Sequence, residues 1–573
     1  MIGEKKEKYL VALIILAALC LRLWGLGFGL PFALHQDEPI VINHALAYGS
    51  GDLNPHFFII PPLCSYLVFL CYGFYFLIGR LTGLFPGVTD FALEFFKDPT
   101  VFFLIARVVL GLVPGTLAVW LVYVLYRKMF QGGGALFAAA IMAVAFLPVV
   151  NSHYAYVDSM MVLFVLLTYI FLADLMKKPR AVNYLLSGVF LGLAVSTKYN
   201  AAILIVPCLL AHFTAVSEHR REKGSLPFGK YFLLAAAGAV AAFLITNPFA
   251  ALDWPTFSND ALFRIRTRGM GWTHHMSYSL LEGIGPGLLV WGLAGFLMIL
   301  MRWRFSRKLV FISFPLIFYM HLVFHSQRFS RYALPLVPFF AIACAYLLFG
   351  LLFPLARTRG WKALVVALAF ALAAPTAGKS VKADMLFSGE DTRAVSAGWI
   401  HENVPPGARI AVDHTSFRPQ ISQTPEQLTR KYEMADAEKG MKPAKEKKLQ
   451  YMIQAAEEKR TYSVYFMTGA DREVQFLSAV PSIDGDMKTL KGSGIEYVTV
   501  NYNDISGGKK YLIDELDDTA VPVAWFSPYY GGKIAPRYDA ADMTFLPVGS
   551  REIFSRHMTG PVIVIYKMKK RGI

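Results

Sequence analysis

Five cysteines in 573 residues, none beyond Cys344, leave no spacing from which a metal-thiolate cluster or a disulfide framework could be read. Cys20, Cys64, Cys71, Cys208 and Cys344 lie in or beside apolar runs and read as small apolar fillers. Also missing are a Walker-type phosphate loop, a dinucleotide fingerprint and a convincing nucleophile elbow. An ATP-driven or nucleotide-sugar-using cytoplasmic site therefore has no support, and no nucleotide cofactor is expected. No internal repeat and no low-complexity linker is visible. Charge is sparse at 17% of residues, and the formal net charge of +16 sits in short Lys/Arg clusters between apolar runs. That is where the positive-inside rule puts basic residues, so nucleic acid is not the expected partner.

What the chain has instead is apolar length: 55% of residues are hydrophobic and 14% aromatic, far more than a soluble core of this size requires. Apolar runs near 10–30, 58–79, 100–126, 135–150, 159–175, 183–197, 201–216, 231–246, 284–300, 309–324, 333–352 and 363–378 are near bilayer length or somewhat short of it. The expected fold is a polytopic α-helical membrane protein. Lys5, Lys6 and Lys8 precede a first run without a small-residue cleavage site, which reads as a retained helix. If the 58–79 run lies along or dips into the outer face, about eleven crossings remain and the basic connectors all fall on the cytoplasmic side. Asp37, Asp158 and the C-terminal region then share the outer side.

After about residue 380 the texture changes. ARIAV, IEYVTV, VPVAWF and PVIVIYKM read as strands, and DTRAVSAGWIHEN and the Lys/Glu-rich 423–460 stretch read as helices. The expected organisation is a transmembrane catalytic module over 1–378 and a soluble extracytoplasmic α/β domain over 379–573.

Candidate chemistry gathers on the outer side. Asp37 and Glu38, in HQDEPI, end the first apolar run as a pair, and two adjacent acids cannot both be the Ncap of one helix. Asp158 in NSHYAYVDSM alone reads as a helix N-cap. On the same face as Asp37 it makes a second carboxylate, to act as base and electrostatic partner or to share a Mg, Mn or Zn ion. Asn54 and His56 in DLNPHFFIIPPL sit on an extended entry that could wall such a site, His56 donating to a phosphate or binding a metal. Lys198 in STKYN and Arg328, Arg331 and Tyr332 in HSQRFSRYALP are a cationic set suited to an anionic headgroup, or to ordinary lipid phosphates. His274, beside His275, is a weak metal signal, and the Arg264, Arg266 and Arg268 trio suits lipid headgroups or a charged substrate.

Taken in order, Asp37-Glu38, NPHFFIIPPL, Asp158, GLAVSTKYN, TNPFAALDWPTF, QRFSRYALPLVPF and DTRAVSAGWIHENVPPGARI resemble the polytopic GT-C glycosyltransferases. The similar branch is that of the dolichyl-phosphate-mannose protein mannosyltransferases and aminoarabinose transferases, over most of 1–378. The resemblance implies inverting transfer of a sugar, at the outer face of the cytoplasmic membrane, from a polyprenyl-phosphate donor to a protein, lipid or glycan acceptor. It implies Asp37 as the carboxylate that activates the acceptor, with Glu38 beside it, and Asp158 as a second acid that shapes the site or helps hold a divalent ion. Lys198 and the Arg328–Arg331 region would contact the donor phosphate. Ile60 stands before Pro61-Pro62 where the aminoarabinose branch has Lys, and the tail does not resemble the repeated sugar-binding domain of the eukaryotic mannosyltransferases. A transporter of a lipid-linked or anionic substrate is the alternative, since the same helices could carry Asp37, Asp158 and Lys198 along a path.

Overall fold

The computed structural model describes residues 3–130, 133–223, 229–262, 272–302, 305–325, 327–413, 417–437, 443–468, 482–502, 507–532 and 549–569. The Arg264, Arg266 and Arg268 trio lies outside them.

Seven described helices are long and apolar enough to cross a membrane: Leu63–Leu81, Thr100–Met129, Val157–Lys177, Tyr199–Glu218, Arg307–Phe324, Ser330–Leu355 and Arg359–Phe387. His275–Ile284 and Pro286–Arg302, bent by 113°, add an eighth if they form one span. Ala135–Val144, Ala181–Val195 and Lys230–Thr246 are apolar but shorter. The chain is a multi-pass membrane protein. Reaching the expected eleven crossings requires these short helices, whereas the 58–79 run forms a helix of spanning length.

The short helices pack tightly. A Cβ on Gly188 or Gly192 of Ala181–Val195 would collide with the Ala235 and Ala239 carbonyls of the Gly229–Thr246 helix. Small residues let two backbones approach where lipid tails offer no hydrophobic drive to bring them together.

The Ala135–Val144 helix stops inside the bundle at Ala145, which is extended (φ −62°, ψ 134°), and a new helix runs Phe146–Asn151. A helix end in an apolar medium must have its carbonyls satisfied. Arg22, fully buried at the end of the Glu4–Leu23 helix, does this. Its Nη1 and Nη2 donate to the Ala143 and Met142 carbonyls, each at 3.0 Å, and its Nε to Ser152 Oγ at 3.2 Å. From the Arg359–Phe387 helix, Ser380 Oγ donates to the Val144 carbonyl (2.7 Å), and Thr376 Oγ1 accepts from the Phe146 N–H (3.0 Å). Residues 152–156 then form a largely buried loop that ends at the start of the Val157–Lys177 helix.

The Arg359–Phe387 helix runs through the 378/379 boundary drawn from sequence and leads into an α/β unit. Its strands are β1 (Arg409–Val412), β2 (Ser422–Gln423), β3 (Thr461–Thr468), β4 (Ser482–Asp484), β5 (Tyr497–Asn501), β6 (Ala520–Phe526) and β7 (Ile563–Met568), in the order β2-β3-β1-β5-β7-β6 with β4 also on β3. β1 is parallel to both β3 and β5, and β7 is antiparallel to β5 and β6. Alternation sorts the side chains. Ile410 and Val412 pack with Ala397 and Ile400 of the Thr392–Asn403 helix, while Ala411, Val498 and Val500 pack on the other face with Leu490, Leu512 and Leu516.

Candidate active site

Asp37 stands at the start of the Glu38–Ala47 helix, and its side chain makes no capping hydrogen bond there. The adjacent acid explains how it is held. Glu38 is fully buried and takes both oxygens to Arg107, which is itself fully buried (Nε–Oε1 2.8 Å, Nη2–Oε2 2.9 Å). Glu38 Oε1 also accepts the Ala155 N–H (2.9 Å), and Arg107 Nη1 donates to the Leu26 and Phe28 carbonyls (2.8 and 2.9 Å). One bidentate pair therefore ties together the loop leading to Asp37 and the loop leading to Asp158. Arg107 immediately precedes a π-helical stretch, Val108–Leu112, in the Thr100–Met129 helix. Gly111 in that stretch lies against the Ser152 and Tyr154 carbonyls, leaving no room for a Cβ. Both oxygens of Glu38, expected to act beside Asp37, are held by Arg107, and one also accepts the Ala155 N–H.

Asp158 lies in the first turn of the Val157–Lys177 helix and is 3% exposed. Lys198, just after the Ala181–Val195 helix, donates to its Oδ1 at 2.7 Å. Arg331, in the 3-10 turn Ser330–Leu336, comes between the two acids: Nη2 is 2.8 Å from Asp37 Oδ2, and Nε is 3.7 Å from Asp158 Oδ2. Residues 37, 158, 198 and 331 come from four separate elements and form one buried charged cluster. Aromatic faces wall it: the Arg331 guanidinium lies 4.3 Å from the Phe329 ring centre and 5.4 Å from that of Tyr156, and Lys198 Nζ lies 4.3 Å from that of Tyr332. Tyr332 Oη donates to Gln327 Oε1 (3.1 Å).

The cluster is incompletely satisfied. Asp37 Oδ2, Asp158 Oδ2 and Arg331 Nε and Nη1 are shut off from solvent and have no hydrogen-bond partner, although the charges themselves are close. The ion-pair distances are short, but the donors and lone pairs are not aligned for hydrogen bonding. Such a site has donors and acceptors left over for a bound group.

His35, two residues before Asp37, is 2% exposed, and burial pushes its pKa down to about 3. Its Nδ1 accepts the Asp37 N–H (3.3 Å), and its ring lies 4.2 Å from that of Tyr154.

The remaining expected residues lie apart from this cluster. Asn54 Nδ2 donates to Asp253 Oδ2 (2.8 Å), and His56, at φ 48°, pairs with Asp52 (2.9 Å) and lies 3.7 Å from Asp253. These bonds fix the 52–58 loop to the segment around Asp253. His274 Nε2 bonds the Arg328 carbonyl (3.0 Å), and the Arg328 side chain is half-buried with no ion pair among the described residues. No group of three possible metal ligands occurs among the described residues.

Two contacts join the cluster's surroundings to the C-terminal unit. Arg393, 1% exposed, pairs with Asp391 (2.9 and 3.0 Å) and donates from Nη1 to the Leu34 carbonyl (2.8 Å), three residues before Asp37. Glu282 Oε2 accepts from Lys379 Nζ (2.7 Å), the Ser550 N–H (2.8 Å) and Ser550 Oγ (2.5 Å). Arg22, Arg107 and Lys379 each carried a sequence signal that went unused: a lone charge within or beside an apolar run.

Residues 92–248 match the family model described as dolichyl-phosphate-mannose-protein mannosyltransferase, which bears out the resemblance read from the sequence. No curated protein matches the chain. Among solved structures, it is similar to the Archaeoglobus fulgidus oligosaccharyltransferase tethered with an acceptor peptide, at 12% identity and TM-score 0.49 over 97% of this chain and 77% of that one. It is also similar to ArnT from Cupriavidus metallidurans bound to undecaprenyl phosphate, at 13% identity and TM-score 0.49 over 97% of each chain. A third likeness is to the S. cerevisiae protein O-mannosyltransferase Pmt1-Pmt2 complex bound to the sugar donor, at 20% identity and TM-score 0.32 over 47% of this chain and 38% of that one.

Proposed function

We propose that this chain, which carries a mannosyltransferase-family segment over residues 92–248, is a GT-C-type membrane glycosyltransferase. It moves a sugar from a polyprenyl-phosphate donor to a protein, lipid or glycan acceptor at the outer face of the cytoplasmic membrane, with its C-terminal α/β domain on that same side. The observation that carries the reading is the buried Asp37–Arg331–Asp158–Lys198 cluster with polar atoms left unsatisfied.

Each group has a distinct task. Asp37, the less buried of the two acids at 16% exposure, accepts the acceptor hydroxyl's proton as its oxygen attacks the sugar C1. Proton removal at that moment is worth about 10²–10⁴ in rate. Arg331 binds the phosphate that departs with the lipid, using the nitrogens that lack partners, and Lys198 adds positive charge as negative charge develops on the leaving group. Asp158 holds Lys198 and Arg331 in register. Direct displacement inverts the anomeric centre. Glu38 positions Asp37 and takes no proton. No step is assigned to a divalent ion. Arg331 and Lys198 place two positive charges against the carboxylates, which opposes a second cation there, and His274 bonds the Arg328 carbonyl instead, so this donor set does not fit a divalent ion.

The test is to incubate purified protein in lipid with radiolabelled polyprenyl-phosphate sugars and a membrane and envelope extract, with and without chelator. Transfer of label to a new species that Asp37→Asn abolishes is the expected result. Label that stays entirely on the donor, across a broad donor set and with the protein folded, overturns the reading and favours the transporter alternative.

A further inference from the structure

Three buried basic side chains face carbonyl oxygens along the segment that joins the first helix to Asp37. Arg107 Nη1 donates to Leu26 and Phe28, and Arg393 Nη1 donates to Leu34. The third is His153, whose Nε2 lies 2.9 Å from the Trp24 carbonyl. Each stands beside a buried acid: Arg107 pairs with Glu38, Arg393 pairs with Asp391, and His153 Nε2 is 3.6 Å from Asp384 Oδ1. Arg107 and Arg393 are permanently charged, whereas a histidine is charged only when both ring nitrogens carry protons.

His153 is fully buried, and both of its nitrogens face carbonyl oxygens, Nδ1 that of Val149 and Nε2 that of Trp24, each at 2.9 Å. A neutral imidazole has one N–H, so one of these contacts would set a nitrogen lone pair against a carbonyl lone pair. The imidazolium donates to both. Asp384, near the end of the Arg359–Phe387 helix, is also fully buried, and neither of its oxygens has a hydrogen-bond partner among the described residues. A protonated Asp384 would bury an O–H with no acceptor in reach, whereas an ionised one is countered by a cationic ring at 3.6 Å. Arg22 of the first helix and Arg107 of the Thr100–Met129 helix are the other charges that act on the ring. Burial and these two guanidiniums lower its pKa against the pull of the Trp24 and Val149 carbonyls, so a charge on His153 depends on Asp384.

We propose that His153 is a positioning residue held as an imidazolium by Asp384, and that this buried pair fixes the turn at Trp24 from which the chain runs to Asp37. The same ring sits on the loop whose Ala155 N–H bonds Glu38 and which leads to Asp158, so both acids of the candidate site are steadied from one point. The charge on the ring is independent of the glycosyl-transfer reading, and its effect on catalysis rests on that reading.

Magic-angle-spinning NMR on the full-length protein in lipid, labelled with ¹⁵N-histidine and ¹³C-carbonyl tryptophan, tests the charge without any substitution. Among the described residues, His153 is the histidine whose ring nitrogen bonds a Trp carbonyl. At about pH 8, above the ordinary histidine value of about 6.5, both nitrogens of that ring are expected to carry protons. One protonated and one bare nitrogen overturns the proposal. In folded Asp384→Asn the ring is expected to be neutral at this pH, and a ring still doubly protonated there also overturns it. Steady-state transfer reads the positioning: kcat of Asp384→Asn is expected to fall about 10–10²-fold with donor KM within a few-fold. Its loss of kcat with rising pH should begin at a lower pH than in wild type, and a pH profile of wild-type shape overturns the positioning role. Wild-type protein that keeps the doubly protonated ring but transfers no sugar sinks the glycosyl-transfer reading and leaves the charged pair standing.

Discussion

At the scale of single residues, the candidate site separates acids that look equivalent in sequence. Asp37 faces Arg331 across 2.8 Å with an unsatisfied oxygen, whereas Glu38 beside it spends both oxygens on Arg107. Asp37→Asn is expected to lower kcat by about 10²–10⁴ while donor KM stays within a few-fold, measured by steady-state transfer. Lys198→Met removes the 2.7 Å partner of Asp158 and is expected to lower kcat, by losing charge beside the departing phosphate, and also to lower the unfolding temperature, since it strands a buried carboxylate. His35 supplies a pH dependence. The unfolded chain takes up a proton near pH 6.5, but native His35 refuses it until about pH 3. Between those values the unfolded state binds more protons, so stability falls as pH drops. Melting curves from pH 7 to 4 should show that decline, and His35→Gln should flatten it. Asp37, Asp158, Lys198, Arg331 and Tyr332 were legible in the sequence because each is a polar residue breaking an apolar run. Asn54, His56 and His274 carry the same kind of signal, but their partners lie on other loops, and residue type alone does not reveal such pairing.

At the scale of elements, the Glu38–Arg107 pair acts as a rivet between a helix start, a π-helical turn and the 152–156 loop. Removing one partner of a fully buried ion pair costs about 3–5 kcal/mol, so Glu38→Gln and Arg107→Leu should each destabilise strongly in denaturation assays. The double variant should recover much of the stability, because neither charge is then left unpaired, yet regain little transfer activity, because the loop bearing Asp37 has lost its anchor. The helices and the strands at ARIAV, IEYVTV, VPVAWF and PVIVIYKM follow from apolar periodicity and were readable as such. β3, the strand at TYSVYFMT, was not among those readings, although its Tyr, Val and Phe alternate with Thr, Ser and Tyr as a half-buried strand's do. The break at Ala145 has a sequence signal in Pro148, which has no N–H to offer the Val144 carbonyl four residues before it. The run 135–150 is continuous in hydropathy, and the groups that make the break tolerable, Arg22 and Ser380, are far away in the chain.

At the scale of the whole molecule, the C-terminal unit is fastened to the membrane module beside the site, by Arg393 on the Leu34 carbonyl and by Glu282 on Lys379 and Ser550. Further away, Lys97 pairs with Glu458 (2.6 Å), and Lys459 donates to the Phe96 carbonyl (2.7 Å). Arg393→Ala combined with Glu282→Ala is expected to make the segment around residue 388 cleavable by limited proteolysis and to lower kcat, although neither residue belongs to the charged cluster. Acid should act on the same fastening. Burial raises the Asp391 carboxyl, but its ion pair and hydrogen bonds with Arg393 outweigh this and hold it below the ordinary range. That contribution is complete above about pH 4 and is lost as pH falls further through the lowered value, so the protease-sensitive state should appear below about pH 4 and not between pH 5 and 8. Arg22 has a consequence for how the molecule is made. When the Glu4–Leu23 helix is first made, the Arg22 guanidinium has only the Ala18 carbonyl of its own helix to donate to, since Met142, Ala143 and Ser152 have not yet been synthesised. The Glu4–Leu23 helix therefore lacks its tertiary acceptors until the broken helix arrives, so its final packing waits on residues some 120 positions downstream.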